Sequence, residues 1–146
     1  MRVAVINGPN LNLLGEREPA VYGYATLADM EGTIAAYAHE RGIDVRFAQH
    51  NSEGAIIDEL HAQRRWADGI VINPAAYTHY SYAIRDAIAA IAVPTVEVHL
   101  SDISKREAFR AISVTHPACI DQIAGLGVDS YLRGIDRLVR ALTPSA

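Results

Sequence analysis

Three short polar segments follow apolar runs of the sequence and carry the side chains best suited to chemistry. They are Asn7-Gly8-Pro9-Asn10-Leu11-Asn12, Asn73-Pro74-Ala75-Ala76-Tyr77-Thr78-His79 and Glu97-Val98-His99-Leu100-Ser101. Amide, hydroxyl and imidazole groups predominate in them, which is typical of a site for a small polyhydroxylated molecule. Asn-Gly and Asn-Pro pairs are also ordinary turn residues, so the indication comes from three segments together.

Glu97 and His99 are two residues apart in a predicted strand, so their side chains point to the same face of the sheet. A carboxylate beside an imidazole orients the ring and raises its basicity, and histidine is the usual proton shuttle near neutral pH. A histidine that is merely hydrogen-bonded at the rim of the core fits the same spacing. The remaining histidines show no metal-ligand spacing with His99, which argues against a zinc site.

A long loop separates the first predicted strand from its helix. We predict that this segment, at about residues 15–25, is an active-site lid, because loops between a strand and a helix usually take only about 2–6 residues. It contains Arg17 and Tyr22. Tyrosine is a poor base at neutral pH, but a neighbouring arginine favours the phenolate and lowers the pKa. A mobile surface loop with a solvated arginine is the alternative.

Arg106 and Arg110 are four residues apart in a predicted short helix, Lys105–Arg110, and would share one face of it. A planar guanidinium binds a carboxylate through two parallel hydrogen bonds. The pair therefore indicates an anion site, although Glu107 nearby also fits an ordinary charged helix face.

Short apolar runs that alternate with helical stretches predict an α/β protein around a parallel sheet. The predicted strands are Arg2–Ile6, Ile43–Ala48, Gly69–Ile72, Thr95–Leu100 and Cys119–Ile123. The natural arrangement is a flavodoxin-like, three-layer sandwich with a five-stranded parallel sheet of order 2-1-3-4-5. Ligands of such sheets bind beyond the carboxyl ends of the strands, which is where the three polar segments lie.

The helices between these strands have recognisable ends. Thr26 can cap a helix that Gly42 stops, and Ser52 can cap the next. Two further helices are predicted at Ser81–Ile91 and Val128–Leu142.

Length and composition narrow the classes of function. The 146 residues predict one catalytic domain, 1–146, and the net charge of −4 argues against nucleic acid or an anionic membrane as the main partner. The single cysteine, Cys119, excludes an internal disulfide, and no apolar run approaches the ~20 residues of a membrane helix. We expect a soluble cytoplasmic protein.

Ten segments along the chain form an ordered set that is far more specific than any one of them. They are Asn7–Gly15, Arg17–Pro19, Tyr22-Gly23, Gln49–Gly54, Asn73–His79, Ser81, Arg85–Ala87, Glu97–Ser101, Arg106-Glu107 and Phe109-Arg110. From the first strand to the final helix, the set resembles type II 3-dehydroquinate dehydratase.

The resemblance implies reversible anti elimination of water from 3-dehydroquinate to give 3-dehydroshikimate through an enolate, with no metal and no organic cofactor. It also implies a homo-dodecamer built as a tetramer of trimers. Type I enzymes use a lysine Schiff base instead. The sequence has one lysine, Lys105, and this count independently favours the type II chemistry.

The resemblance assigns catalytic roles to five residues. Tyr22 matches the base that removes the proton α to the ketone, and Arg17 matches the arginine that favours the tyrosinate and stabilises the transition state. Asn10 matches the position that holds a water against the enolate. His99 matches the general acid for the departing hydroxyl, with Glu97 orienting it.

Substrate-binding roles follow in the same way. The matching residues are Asn73, His79, Leu100, Ser101 and Arg110, and Asp86 matches a residue that reaches a neighbouring subunit's site. Arg106 is expected to serve structure or the subunit interface. Tyr80 and Tyr82 depart from the family's usual residues beside His79, which bears on substrate affinity and subunit contacts.

Two other classes of function share this fold. A flavin-binding electron-transfer protein needs a phosphate loop rich in glycine and hydroxyl groups after the first strand, and Asn7–Asn12 is not such a loop. A non-enzymatic binding or signalling domain of the receiver type needs an acidic pocket there, where this sequence has asparagines. The sequence leaves open whether the reaction serves biosynthesis or quinate breakdown.

Overall fold

A computed structural model describes residues 1–144, with all their side chains except those of Val21 and Tyr22. Five parallel strands form one sheet in the order β2-β1-β3-β4-β5. The strands are β1 (Arg2–Asn7), β2 (Asp44–Gln49), β3 (Gly69–Asn73), β4 (Thr95–His99) and β5 (Asp121–Ala124). The prediction of a flavodoxin-like α/β sheet with this order is therefore confirmed.

Four long helices and one short helix accompany the sheet in the described part of the chain. They are α1 (Pro19–Tyr22), α2 (Leu27–Glu40), α3 (Glu53–Gln63), α4 (Tyr82–Ile91) and α5 (Asp129–Leu142). The starts of α2 and α3 agree with the predicted caps, because Thr26 forms a capping box with Asp29 and the Ser52 hydroxyl accepts a hydrogen bond from the first turn of α3. Ser81, predicted as the first residue of a helix, caps α4 in the same way.

Alternate side chains of the strands pack into two separate hydrophobic cores, one on each face of the sheet. Val3 and Val5 of β1 pack with α2 and α5 on one face, whereas Ala4 and Ile6 pack with α3 and α4 on the other. Because successive strand residues point to opposite faces, a continuous apolar strand is what a sheet covered on both sides requires. The molecule therefore has three layers.

One predicted element is wrong. Lys105–Arg110 is not a single helix but parts of two 3₁₀ turns, Ile103–Lys105 and Ala108–Arg110. The chain is extended at Arg106, with φ −98° and ψ −159°, and again at Glu107. Asp102 caps the first turn through the Ser104 amide, which gives this turn its own start. Arg106 and Arg110 therefore do not share a helix face.

The connection from β4 to β5 contains no long helix, only 3₁₀ turns, in the residues described here. Val96 and Val98 of β4 pack into the core with α5, so Glu97 and His99 face the other side of the sheet. The connecting segment passes over that side, and its turn His116–Ala118 packs on α4. Polar groups of β4 are thereby buried beneath a loop rather than a helix.

None of the helices described is long and apolar enough to cross a lipid bilayer.

Candidate active site

A cleft of about 90 Å³ opens at the carboxyl ends of β1, β3 and β4, at the point where the strand order reverses. This is the expected place for a ligand in an open α/β sheet. The predicted residues that line it are Asn10, Arg17, Asn73, His79, His99, Leu100, Ser101 and Arg110, together with Arg106. Glu97 is buried and contacts His99.

The loop after β1 reaches the cleft because a glycine lets it pass close to the loop after β3. The Gly8 amide donates to the Asn73 carbonyl at 2.8 Å, and a Cβ at Gly8 would lie 2.6 Å from the Pro74 oxygen. Asn10 then adopts a left-handed conformation with φ 69°, and its amide donates to Asn51 Oδ1. Asn10 thus sits at the rim in a conformation that its short polar side chain tolerates.

Asn73 is held by a buried tyrosine from the other end of the chain. Its Nδ2 donates to Tyr131 Oη at 2.9 Å, and its Oδ1 accepts from the Ala75 amide at 3.0 Å. Tyr131 Oη in turn donates to Asn7 Oδ1 at 2.6 Å. Burial raises the pKa of Tyr131 well above its ordinary value, so this hydroxyl keeps its proton and remains a donor.

His79 ends the 3₁₀ turn Ala75–His79 and is neutral under ordinary conditions. Burial lowers its pKa below 6.5 more than the Ile112 carbonyl raises it. That carbonyl lies 2.7 Å from Nδ1, so Nδ1 carries the proton of the neutral ring. Nε2 is then left as an acceptor, which suits a hydroxyl of a ligand.

His99 and Glu97 form the hydrogen-bonded pair that their spacing predicted. His99 Nε2 donates to Glu97 Oε2 at 2.9 Å, and Glu97 is fully buried. Burial alone would raise the pKa of Glu97. The hydrogen bond and positive charge of His99, with hydrogen bonds from Thr115 and Gln122, outweigh burial and lower that pKa from 4.5 to about 2. The carboxylate therefore stays ionised at neutral pH.

Three polar side chains besides His99 bind the Glu97 carboxylate, and a fourth, Thr78, binds two of these three; the sequence analysis assigned a role to none of them. We name Thr78, Ser113, Thr115 and Gln122 the carboxylate cage. Gln122 lies beside Glu97 in the register of β4 and β5, and its Nε2 donates to Oε2 at 2.6 Å. Gln122 is a polar residue within a strand, and this was the one feature of the sequence that could have indicated a buried polar partner. The three hydroxyl residues have the composition of ordinary turns and give no such indication.

Arg17 and Arg106 meet across one carboxylate at the edge of the cleft. Arg17 Nη2 lies 3.1 Å, and Arg106 Nη2 3.5 Å, from Glu18 Oε2. Glu18 itself has φ 39°, in the left-handed region that non-glycine residues seldom adopt. Arg110 Nε binds Glu107 Oε2 at 2.7 Å, which directs the rest of its guanidinium toward the cleft that it lines.

Two predicted site residues are not placed in the cleft. The backbone of Tyr22 ends α1, but its side chain lies outside the described residues. Asp86 is on the exposed side of α4 and is not among the described residues that line the cleft.

The described side chains suit a small anion that carries hydroxyl groups. Three guanidinium groups, a neutral imidazole acceptor and an imidazole paired with a carboxylate converge on one cleft. Within the described residues, no three His, Cys, Asp or Glu side chains lie together as metal ligands would.

Comparison with known proteins gives a single result. The model of the family described as dehydroquinase class II matches residues 1–139. A 3-dehydroquinate dehydratase of Carboxydothermus hydrogenoformans is 53% identical over 139 residues, which cover 95% of this chain and 90% of the relative. Another, from Gemmatimonas aurantiaca, is 55% identical over 142 residues, or 97% and 93% of the two chains. The crystal structure of type II dehydroquinase from Butyrivibrio crossotus superposes with a TM-score of 0.93 at 49% identity and covers 94% of this chain and 97% of its own.

Proposed function

Since this chain belongs to the class II dehydroquinase family, we propose how its cleft carries out the elimination of water that defines a 3-dehydroquinate dehydratase. The enzyme class is a carbon–oxygen lyase, EC 4.2.1.10. The ionised Glu97 in contact with His99 is the observation that carries the proposed mechanism.

The first half of the reaction needs a base and a stabiliser of the enolate, because a proton α to a ketone is only weakly acidic. Tyr22 is the base and Arg17 favours its phenolate form. The position of Arg17 in the wall of the cleft supports this role. Asn10, at the opposite rim, holds a water against the enolate oxygen.

The second half needs a general acid, because hydroxide is a poor leaving group. His99 protonates the departing hydroxyl. Its Nε2 is hydrogen-bonded to Glu97, so Nδ1 is the nitrogen that donates the proton to the substrate. A buried carboxylate that stays ionised accepts the Nε2 hydrogen bond and keeps the ring in one orientation.

The substrate carboxylate and hydroxyls are bound by the remaining side chains of the cleft. Arg110 binds the carboxylate with Ser101 and the Leu100 backbone, all of which line the cleft near His99. His79 Nε2 accepts a hydrogen bond from a substrate hydroxyl. Asn73, oriented by Tyr131, donates to another substrate oxygen.

The loop at residues 15–25 acts as a lid that brings Arg17 and Tyr22 to the substrate and excludes water. Arg17 and Arg106 share Glu18, so this contact joins the lid to the turns after β4. Arg106 therefore serves to position the lid.

The chain assembles as a homo-dodecamer, a tetramer of trimers, in which Asp86 completes a neighbouring subunit's site. Support comes from the exposed position of Asp86 on α4 and from Tyr80 and Tyr82, which are 60% and 63% exposed at the start of the same helix. Light scattering after gel filtration tests the assembly. A stable monomer would contradict the shared site.

An ultraviolet assay with 3-dehydroquinate tests the function, since dehydration creates a conjugated double bond and raises the absorbance. Turnover is expected to persist with a chelator and after treatment with borohydride in the presence of substrate, because Lys105 forms no Schiff base. The Lys105→Gln variant is the matched control; Lys105 is exposed and pairs with Asp102 at 3.7 Å. No turnover by folded protein would favour a non-enzymatic binding domain.

A further inference from the structure

We propose that Ser113, Thr115 and Gln122 are positioning residues for the elimination, which hold Glu97 as a fixed anion so that the catalytic proton remains on His99. This inference rests on the proposed role of His99 as the general acid. It assigns a task to groups that do not line the cleft within the described part of the chain.

The Glu97 carboxylate is surrounded by hydrogen-bond donors. Its Oε2 faces His99 Nε2 at 2.9 Å, Ser113 Oγ at 2.8 Å and Gln122 Nε2 at 2.6 Å. Its Oε1 faces Thr115 Oγ1 and, at 3.1 Å, Ser113 Oγ. An ionised carboxylate offers about four acceptor sites and no donor, so it matches these neighbours almost completely.

With Glu97 ionised, and therefore only an acceptor, the hydroxyl protons around it have one consistent direction. The His116 amide donates to Ser113 Oγ at 3.0 Å, which leaves the single proton of Ser113 for Glu97. Thr115 likewise gives its proton to Glu97. Thr78 Oγ1 lies 2.7 Å from Thr115 Oγ1 and 2.9 Å from Ser113 Oγ, so it must donate to one of them. The whole cage therefore points its protons toward the carboxylate.

A protonated Glu97 would oppose this arrangement. Its carboxyl proton would meet another donor, and at least one cage member would have to turn away from it, which is costly for Thr115 because that side chain is fully buried. The low pKa of Glu97, about 2, agrees with this reasoning. Glu97 consequently does not compete with His99 for the proton that the reaction delivers.

Two other titratable groups act on the same region. Burial and the Glu97 charge raise the pKa of Cys119 to about 12, so it stays a neutral thiol. His79 has a lowered pKa and gains charge as the pH falls. A comparison of two variants at one position cancels the effect of His79, since both variants share it.

The test compares Thr115→Val, which keeps the shape and removes the hydroxyl, with Thr115→Ser, which keeps the hydroxyl. Loss of one hydrogen bond to a charged group raises the pKa of that group by about one to two units. If protonation of Glu97 stops catalysis, the acid limb of the pH profile of kcat should move to higher pH by that amount in the valine variant but not in the serine variant. Near neutral pH, Glu97 stays ionised in both variants, because a pKa of about 2 raised by about one to two units is still far below 7. We therefore expect similar kcat values there and a difference that appears only as the pH falls, with KM changed less than about twofold. Equal pH profiles of kcat for the two variants would overturn the proposal.

Gln122→Met provides a second variant should the valine protein fail to fold, because Gln122 is only half-buried and methionine has a similar shape. It is expected to move the acid limb in the same direction. Titration of the Glu97 carboxyl by ¹³C NMR gives a readout that needs no turnover. A Glu97 pKa that stays near 2 in both variants would overturn the proposal. Should the unaltered protein lack turnover, the proposed function fails, while this titration still decides whether the cage holds the anion.

Discussion

Tyr131→Phe tests how far the scaffold, rather than the cleft itself, determines substrate binding. The Tyr131 hydroxyl is fully buried and joins the ends of β1 and β3, since it accepts from Asn73 Nδ2 at 2.9 Å and donates to Asn7 Oδ1 at 2.6 Å. Its removal leaves a donor and an acceptor without that partner. Among the described residues nothing yet accepts from Asn7 Nδ2, so the Asn7 side chain has little to hold it once Tyr131 is lost.

Each buried polar group left unpaired costs about 1–3 kcal/mol. Two such groups with partial relaxation give a loss of about 2–4 kcal/mol in the free energy of unfolding, a large share of the stability of a domain of this size. Asn73 keeps its contact with the Ala75 amide but can rotate about it, so its donor no longer points reliably at the substrate. We expect KM to rise about tenfold, with a smaller fall in kcat.

Urea unfolding followed by circular dichroism, with steady-state kinetics on the same preparations, measures both effects. Tyr37→Phe is the matched control, because it likewise removes one phenol hydroxyl that makes a tertiary hydrogen bond. Tyr37 Oη donates to Asp136 Oδ1 of α5 at 2.5 Å. That contact is partly exposed and joins α2 to α5. We expect a loss of less than about 1 kcal/mol and unchanged kinetics. Equal unfolding free energies and equal KM values for the two variants would refute the reasoning.

Three further predictions concern the cleft. His99→Ala should lower kcat by about 10²–10⁴-fold while a substrate analogue still binds, as isothermal titration would show; complete loss of analogue binding would instead make His99 a binding residue. The lowered pKa of Glu97 stabilises the folded state above pH 4.5, and this contribution disappears as the pH falls toward 2. At about 1.4 kcal/mol per pH unit, Glu97 alone should lower the unfolding free energy by about 3 kcal/mol over that range, and Glu97→Gln should remove this share while the contribution of other carboxyl groups remains. Gly8→Ala should impair folding or activity far more than Gly54→Ala, since a Cβ at Gly8 meets the Pro74 carbonyl and one at Gly54 meets nothing within 4 Å. Equal unfolding curves for the two alanine variants would count against the close approach.

The strands and helices could be predicted because local sequence patterns determine most of them. The central strands β1 and β3 are short apolar runs, and three of the four long helices begin at a side chain that caps them: Thr26, Ser52 and Ser81. The pairing of Glu97 with His99 was predictable for the same reason, since residues two apart in a strand share a face whatever surrounds them.

The turns after β4 could not be predicted from the same rules. Arg106 and Arg110 have helical spacing, yet Arg106 is extended and the chain makes two separate turns. Asp102 starts the first turn by a local hydrogen bond, and the contact of Arg106 with Glu18 comes from a segment 88 residues away. A tertiary contact of this kind overrides a weak local preference.

The carboxylate cage was beyond sequence reasoning because Thr78, Ser113 and Thr115 owe their function to where the chain passes, not to their spacing. A helix over this part of the sheet would have buried an apolar stripe against β4. The connection from β4 to β5 instead consists of 3₁₀ turns in the described residues, and its side-chain hydroxyls face the sheet. A buried carboxylate is costly unless every acceptor site is matched, and a loop supplies hydroxyl donors more readily than a helix does. The absence of a long helix at this position is thus what allows Glu97 to be both buried and ionised, and the proposed acid chemistry of His99 depends on it.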